Sequence, residues 1–132
     1  MDETVDPIRS GIAKNQKRDS DGKFVYVANR AGGNLSQYSV GPKGALIPMT
    51  PDKVRTGQSP IAVAVDPSGR YAYVVNFDAH RISMYTVGPT GTLSPNKPES
   101  VSTRAAPYSL AMSVGANPFE PFAKYAYVTN TG

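Results

Sequence analysis

The hexapeptide YAYVVN at Tyr71–Asn76 occurs three times in this chain, with small changes. The earlier copy is Phe24–Asn29 and the later copy is Tyr125–Asn130, so the copies start 47 and 54 residues apart. A period of this size is typical of repeat architectures in which each unit buries its faces against its neighbours. The recurrence therefore predicts a repeat protein that contains at least parts of three units.

The composition is that of a globular domain built from short strands. The 132 residues are 39% hydrophobic and 18% charged, which separates the chain from disordered sequences. Twelve glycines and twelve prolines suit tight turns and argue against long helices. We therefore predict one all-β domain of ordinary size.

The residue content excludes several classes of site. The chain has no cysteine, so it has no disulfide, no thiolate metal site and no cysteine nucleophile. A single histidine cannot build a typical zinc site. Gly32 and Gly33 lack the spacing of a dinucleotide-binding loop. We therefore expect no metal and no cofactor.

Charge and hydropathy limit the partners and the compartment. The net charge of +4 has one dense cluster, Lys14–Arg18, without the interleaved aromatic residues of a nucleic-acid site. No apolar run reaches the length of a membrane span, and no apolar segment follows Met1. We expect no nucleic-acid partner, no membrane partner and a cytoplasmic location.

Each unit is predicted to contain four short strands, A to D. In the second unit they are Ile61–Val65, Tyr71–Val75, Arg81–Val87 and a short strand that starts near Leu93. Strands A and B are apolar on both faces and so need cover on both sides. The polarity that rises from A to D is typical of a propeller blade running from axis to rim. The alternative is a plain β-sandwich of hairpins.

The first unit lacks a suitable strand A. The segment 47 residues before the second strand A is Lys14–Arg18, whose polar and charged side chains would be costly to bury. The predicted strand order is therefore BCD, ABCD, AB, a β-propeller fragment of about two and a third blades of four-stranded antiparallel meanders. It spans residues 19–132 behind a polar, mobile leader at 1–18. Exposed faces and unpaired edges on the terminal blades predict self-association.

The third unit carries an insertion of seven residues, predicted to lengthen its A–B loop. The inserted part falls within Gly115–Phe122, after a strand A at Tyr108–Val114. In a meander, A–B loops lie at the opposite end from B–C loops and D–A connections. The insertion is therefore expected away from the loops at Asn29–Asn34 and Asn76–Arg81.

The longer phrase Asp66–Asn76 (DPSGRYAYVVN) and the ending Tyr127–Asn130 (YVTN) resemble the YVTN/lactonase group of β-propellers. That group includes the seven-bladed 6-phosphogluconolactonases, and the resemblance covers residues 19–132. It implies hydrolysis of a small anionic sugar lactone, such as 6-phosphogluconolactone, by attack of water on the ester carbonyl. The alternatives are a non-catalytic propeller that serves as a binding or scaffold module, and a truncated gene product without independent activity.

Only part of the family's polar motif is present. The family's Asn-Arg-Gly-His stretch after strand B is matched at Asn29 and Arg30, but Gly32 stands where the histidine would be. The family's Pro-Arg-His entry to strand A reads Pro60-Ile61-Ala62 in this chain. Most of the family's catalytic set is therefore missing from these units.

The remaining polar residues of the B–C loops are the candidates for a site. His80 and Arg30 are the candidate catalytic residues. His80 would act as a general base or a phosphate contact beside an anion-binding Arg81, and Arg30 matches the family's motif. The candidate substrate-binding residues are Arg81, Asn29, Asn76 and Asp78. The competing interpretation makes His80 a plain loop residue and binds Arg30 to a neighbouring carbonyl. The asparagines can also bond the turns they enter.

Overall fold

The computed structural model describes residues 16–18, 24–114 and 123–131, which form ten strands in three antiparallel sheets. The strands are β1 (Gln16–Arg18), β2 (Phe24–Asn29), β3 (Asn34–Val40), β4 (Leu46–Arg55), β5 (Pro60–Val65), β6 (Tyr71–Asn76), β7 (Arg81–Val87), β8 (Leu93–Ser102), β9 (Pro107–Val114) and β10 (Ala123–Asn130). Each sheet is a meander in chain order: blade 1 is β1–β4, blade 2 is β5–β8 and blade 3 is β9–β10. The predicted all-β, partial-propeller fold is confirmed.

The structure differs from the predicted strand order in one respect. The three-residue strand β1 pairs antiparallel with β2, with Lys17 opposite Tyr26, in the place of strand A. The hydrogen bonds between paired strands are made by backbone groups, which every residue except proline carries in full. In this respect the prediction was wrong because it considered only the cost of burying polar side chains. Blade 1 therefore has a short inner strand. The rest of the expected leader and the insertion at Gly115–Phe122 lie outside the described residues.

Blades 1 and 2 repeat the same register. Asn29 pairs with Asn34 at the B–C turn of blade 1, as Asn76 pairs with Arg81 in blade 2. Strands β4 and β8 are each ten residues long and mostly exposed, whereas β2 and β6 are mostly buried. In blade 2 exposure thus increases from strands A and B to strand D, in the direction of the predicted polarity, and strand D is longer than expected.

The core lies between blades 1 and 2. Its buried members come from both blades: Tyr26, Ala28, Leu35, Val63, Val65, Ala72, Val74, Tyr85 and Leu93. The Tyr26 hydroxyl donates to the Gly91 carbonyl at 2.5 Å, and the Tyr85 hydroxyl donates to the Arg55 carbonyl at 2.5 Å. These two bonds cross between the blades in opposite directions and fix how the blades stack.

A buried glutamine adds a third polar link between the blades. The Gln37 side chain is fully buried on β3. Its amide nitrogen donates to the Pro51 carbonyl of its own blade at 3.0 Å, and its amide oxygen accepts from the Leu93 backbone N–H of blade 2 at 2.8 Å. Both ends of the amide are therefore satisfied, as burial of a polar group requires.

Blade 3 presents an open face. Tyr125 and Tyr127 are 63% and 61% exposed, whereas Tyr26, the counterpart of Tyr127 in the repeated hexapeptide, is 0% exposed. Tyr26 is covered by blade 2, and no fourth blade follows among the described residues. Packing between blades is therefore observed for Tyr26 and not for Tyr125 and Tyr127. Self-association through this face stays a prediction.

Candidate functional site

The B–C loops and the D–A connections meet at one end of the sheets, which we call the BC/DA edge. The B–C loops are Asn29–Asn34 and Asn76–Arg81, and the D–A connections are residues 56–59 and 103–106. The Thr56 N–H donates to the Gly33 carbonyl at 3.1 Å, and the Thr103 N–H donates to the His80 carbonyl at 3.0 Å. All six candidate site residues lie in the two B–C loops at this edge.

Arg30 is held by an aromatic ring of the neighbouring blade. Its guanidinium carbon lies 5.7 Å from the centroid of the Phe77 ring, and its side chain is exposed. Phe77 stands 47 residues after Arg30, so the two occupy equivalent places in adjacent repeats. A guanidinium is attracted to the face of an aromatic ring. The stacking partner is therefore a ring rather than the carbonyl weighed in the competing interpretation.

Asp78 is fixed by the connection between the blades. Its Oδ2 atom accepts a hydrogen bond from the Ser59 hydroxyl, and the Phe77 N–H donates to the Ser59 carbonyl at 2.8 Å. Ser59 has a φ of 55°, in the left-handed region. The carboxylate remains exposed to solvent at the BC/DA edge.

His80 occupies a backbone position that favours glycine. Its φ is 54°, and the equivalent residue of blade 1 is Gly33, with a φ of 64°. Histidine is among the residue types enriched in this region relative to other non-glycine residues. The side chain is exposed. Within the described part of the chain, no hydrogen bond or ion pair joins the side chains of Arg30, Asp78 and His80 to one another.

The two candidate asparagines are engaged in internal hydrogen bonds. Asn76 is fully buried: its amide nitrogen donates to Ser83 Oγ at 2.9 Å and to the Arg81 carbonyl at 3.3 Å, and its oxygen accepts from the Gly57 N–H at 3.1 Å. Asn29 donates to Ser36 Oγ at 2.8 Å. Each amide thus fixes the turn that follows its strand, as the competing interpretation expects for the closing residue of the hexapeptide.

Arg81 lines a cavity of about 310 Å³ between blades 1 and 2, together with the candidate Asn76. This interblade cavity is lined by Val54, Arg55, Thr56, Gly57, Asn76, Arg81, Ser83, Tyr85, Pro95, Glu99 and Ser100. The Nε atom of Arg81 donates to Ser100 Oγ at 2.7 Å, and Nη2 donates to the Ser100 carbonyl at 3.4 Å. Strand β8 therefore orients the guanidinium.

Sequence reasoning identified the loops but missed several side chains that define their surroundings. Phe77 and Ser59 hold Arg30 and Asp78, and Arg55 and Glu99 line the cavity beside Arg81. One signal was available for Phe77, since it stands at the repeat position of Arg30. The others become neighbours only through the stacking of two blades.

The described residues contain neither a metal cluster nor a membrane-spanning helix. Within residues 24–114 and 123–131, no three metal-ligating side chains come together. In the same described ranges, no helix has the length and apolar content that a membrane crossing would need. The cytoplasmic location stays a prediction.

The stacked four-stranded meanders define a β-propeller, and a family model identifies which kind. The model for the lactonase family, a seven-bladed β-propeller, matches residues 12–106. This is more than half of the chain, so the chain belongs to the seven-bladed β-propeller lactonase family. No curated protein sequence shows significant similarity to it.

Three solved structures support the fold. A candidate 6-phosphogluconolactonase from Bacteroides fragilis is 22% identical with a TM-score of 0.60, over 67% of this chain and 25% of its own. A functionally unknown protein from Desulfotomaculum acetoxidans is 23% identical with a TM-score of 0.55, over 61% of this chain and 25% of its own. Hydrazine synthase from Kuenenia stuttgartiensis is 17% identical with a TM-score of 0.66, over 100% of this chain and 33% of its own. The chain thus aligns with a quarter to a third of each of these proteins.

Proposed function

We propose that this chain takes part in the hydrolysis of a sugar lactone, such as 6-phosphogluconolactone, at the BC/DA edge. The proposal is supported by membership in the lactonase family. The single observation that carries it is Arg30, an exposed guanidinium that matches the family's motif and is stacked on Phe77 of the next blade. A stacked arginine is well suited to bind an anionic substrate because fewer rotamers are lost on binding.

The reaction requires an anion-binding group and a proton acceptor. Water attacks the carbonyl carbon, the ring C–O bond breaks, and the products are a carboxylic acid and a hydroxyl group. In this proposal Arg30 binds the substrate phosphate or the developing oxyanion, and His80 accepts the proton of the attacking water. Asp78 contacts substrate hydroxyls. Asn29 and Asn76 support the loops through their internal hydrogen bonds.

The test is lactone hydrolysis by the chain as it exists, measured above the spontaneous rate. Arg30→Ala should lower the rate by about tenfold to a thousandfold, the range seen when a charge-stabilising group is lost. Arg70→Ala is the matched control, because Arg70 also stacks at 5.7 Å on a ring, that of Tyr71, but next to an A–B turn. Hydrolysis no faster than the spontaneous rate at high protein concentration would overturn the proposal. An equal loss in both variants would also do so.

The second candidate is a non-catalytic binding module, favoured by the charged lining of the interblade cavity. A module of this kind would bind an anion without converting the lactone. The two candidates therefore differ in turnover, and the same assay separates them.

A further inference from the structure

We propose that the interblade cavity is a binding site for a small hydroxylated anion, one that carries a carboxylate or a phosphate. This inference goes beyond the proposed lactone hydrolysis and does not depend on it. The cavity lies between β4 of blade 1 and β7 and β8 of blade 2. It is therefore set among the outer strands of the blades, and Thr56, Gly57 and Asn76 extend its lining to the BC/DA edge.

The residues that line the cavity carry more positive than negative charge. Two arginines, Arg55 and Arg81, and one carboxylate, Glu99, line the cavity. No carboxylate in the described ranges 24–114 and 123–131 lies within ion-pair distance of either arginine. Guanidinium groups bind carboxylate and phosphate oxygens through paired N–H donors, and they do so most strongly in partly enclosed sites. The wall charges therefore favour an anion.

The Arg81 guanidinium is already oriented by its own blade. It donates from Nε and Nη2 to Ser100 on β8, and a guanidinium has five N–H donors in all. The remaining donors are available to a ligand, while the two bonds to Ser100 reduce the rotamer entropy that binding would otherwise cost. Such an arrangement is a preorganised anion contact.

The equivalent positions of the other blade hold no arginine. The residue of blade 1 equivalent to Arg81 is Asn34, whose amide nitrogen donates to the Gly32 carbonyl at 3.1 Å and whose oxygen accepts from Asn29. The residue of blade 2 equivalent to Arg55 is Ser102. Folding of a blade therefore does not require an arginine at either position, and both arginines meet at the same cavity.

The size and the polar lining narrow the ligand class. A volume of about 310 Å³ is at the lower end of the range of about 300–1,000 Å³ for small-molecule sites. The Glu99 carboxylate can accept hydrogen bonds from ligand hydroxyls, and Thr56 lines the same space. The chemistry is therefore that of a sugar acid or a small phosphate ester, with anionic oxygens at the arginines and hydroxyls at the glutamate.

The probes are gluconate, glycerol phosphate and inorganic phosphate, titrated into the whole chain by calorimetry at low and at physiological salt. Arg81→Gln and Arg55→Gln should each weaken binding of the hydroxylated probes at least tenfold. Glu99→Gln removes a negative charge that repels anions, so the affinity for inorganic phosphate should rise several-fold. The same variant should lower the preference for gluconate over inorganic phosphate. Arg70→Gln, outside the cavity, should change neither. Tighter binding of gluconate than of glycerol phosphate would identify a carboxylate ligand, and the reverse order would identify a phosphate ligand.

Binding that does not depend on the residues of the cavity would overturn the proposal. Absence of binding by all three probes would also overturn it. So would an equal weakening of probe binding in Arg70→Gln, because the probes would then be attracted only by the net charge of the protein. Ser100→Ala keeps Arg81 and releases its orientation, so it should weaken binding less than Arg81→Gln and covers the case in which that variant fails to fold. Loss of probe binding in Arg30→Ala but not in Arg81→Gln would place the probes at the BC/DA edge and overturn this proposal, whereas failure of the proposed hydrolysis is seen as absence of turnover.

Discussion

The ring of Phe24 in blade 1 packs directly on Gly91 in blade 2, so closely that a Cβ atom at position 91 would lie 2.4 Å from Cδ1 of Phe24. Gly91 also has a φ of 88° and is buried. The contact adjoins the hydrogen bond from Tyr26 to the Gly91 carbonyl. The C–D turn of blade 2 is therefore a close-packed part of the interface between the blades.

Gly91→Ala should destabilise the protein by about 2–4 kcal/mol, because the new methyl group meets an aromatic ring and the backbone is left-handed. Gly44→Ala is the control, since Gly44 is the equivalent residue of blade 1 with a φ of 81°. It should cost about 1 kcal/mol, the backbone effect alone. Urea unfolding measures both variants, and equal losses would show that the contact with Phe24 is unimportant.

The asparagine that closes each copy of the hexapeptide should contribute more to stability the more deeply it is buried. Asn76→Ala removes the partner of the half-buried Gly57 N–H and of the buried Ser83 hydroxyl, and it should cost about 2–4 kcal/mol. Asn29→Ala should cost about 1–2 kcal/mol, since Asn29 is half-buried. Asn130→Ala, on an exposed side chain, should change the free energy of unfolding by no more than about 0.5 kcal/mol. A different order would mean that the repeat phrase is not stabilised by these amides.

His80→Gly should preserve or raise stability by up to about 1 kcal/mol, because glycine adopts the φ of 54° without the Cβ conflict that histidine incurs. His80→Val should lower stability by about 1–2 kcal/mol, since a β-branched residue is poorly tolerated there. Thermal unfolding measures both. If both variants are equally stable, the local backbone does not have the left-handed conformation. His80→Gly is therefore the variant in which loss of the imidazole can be tested without loss of fold.

The stability of the protein should fall in alkaline solution through Tyr85. Burial raises the pKa of the Tyr85 phenol above its ordinary value of 10.0, the Ser83 hydrogen bond lowers it and the nearby Glu99 raises it. Above pH 10 the unfolded chain loses this proton before the folded protein does. The free energy of unfolding therefore stays constant with respect to this group below pH 10 and falls above it, by at most about 1.4 kcal/mol per pH unit.

Tyr85→Phe should make that alkaline loss smaller, although it also removes the hydrogen bond to the Arg55 carbonyl. The measurement is urea unfolding at pH 8 and at pH 11. Tyr125→Phe, on a mostly exposed side chain, is the control for removal of one phenol. An unchanged slope in Tyr85→Phe would assign the alkaline loss to other groups.

The sequence was informative wherever one strand and its neighbour in the same blade determine the structure. The repeated hexapeptide located β2, β6 and β10, and the residues of Asp66–Gly69 are those of a tight turn, in which the Arg70 N–H donates to Asp66 Oδ1 at 3.0 Å. These features depend on side-chain alternation and on turn chemistry, both of which can be read along the chain.

What the sequence did not reveal depends on the angle and spacing of two blades. Gln37 is a polar residue within an otherwise apolar interface, and its partner Leu93 lies 56 residues away. The meeting of Arg55 with Arg81 has the same origin. Strand β1 was missed for a different reason, because backbone pairing over three residues leaves no hydrophobic pattern.

The hydrogen bonds between the blades also constrain the order in which the blades fold during synthesis. Tyr26 and Gln37 acquire their partners from residues 91 and 93, which a ribosome adds only after most of blade 2 has been made. Until then the Tyr26 hydroxyl lacks its acceptor and the Gln37 amide oxygen lacks its donor, and contacts of such long sequence separation form slowly. During synthesis, blade 1 therefore completes its native hydrogen bonds only after blade 2 has been made.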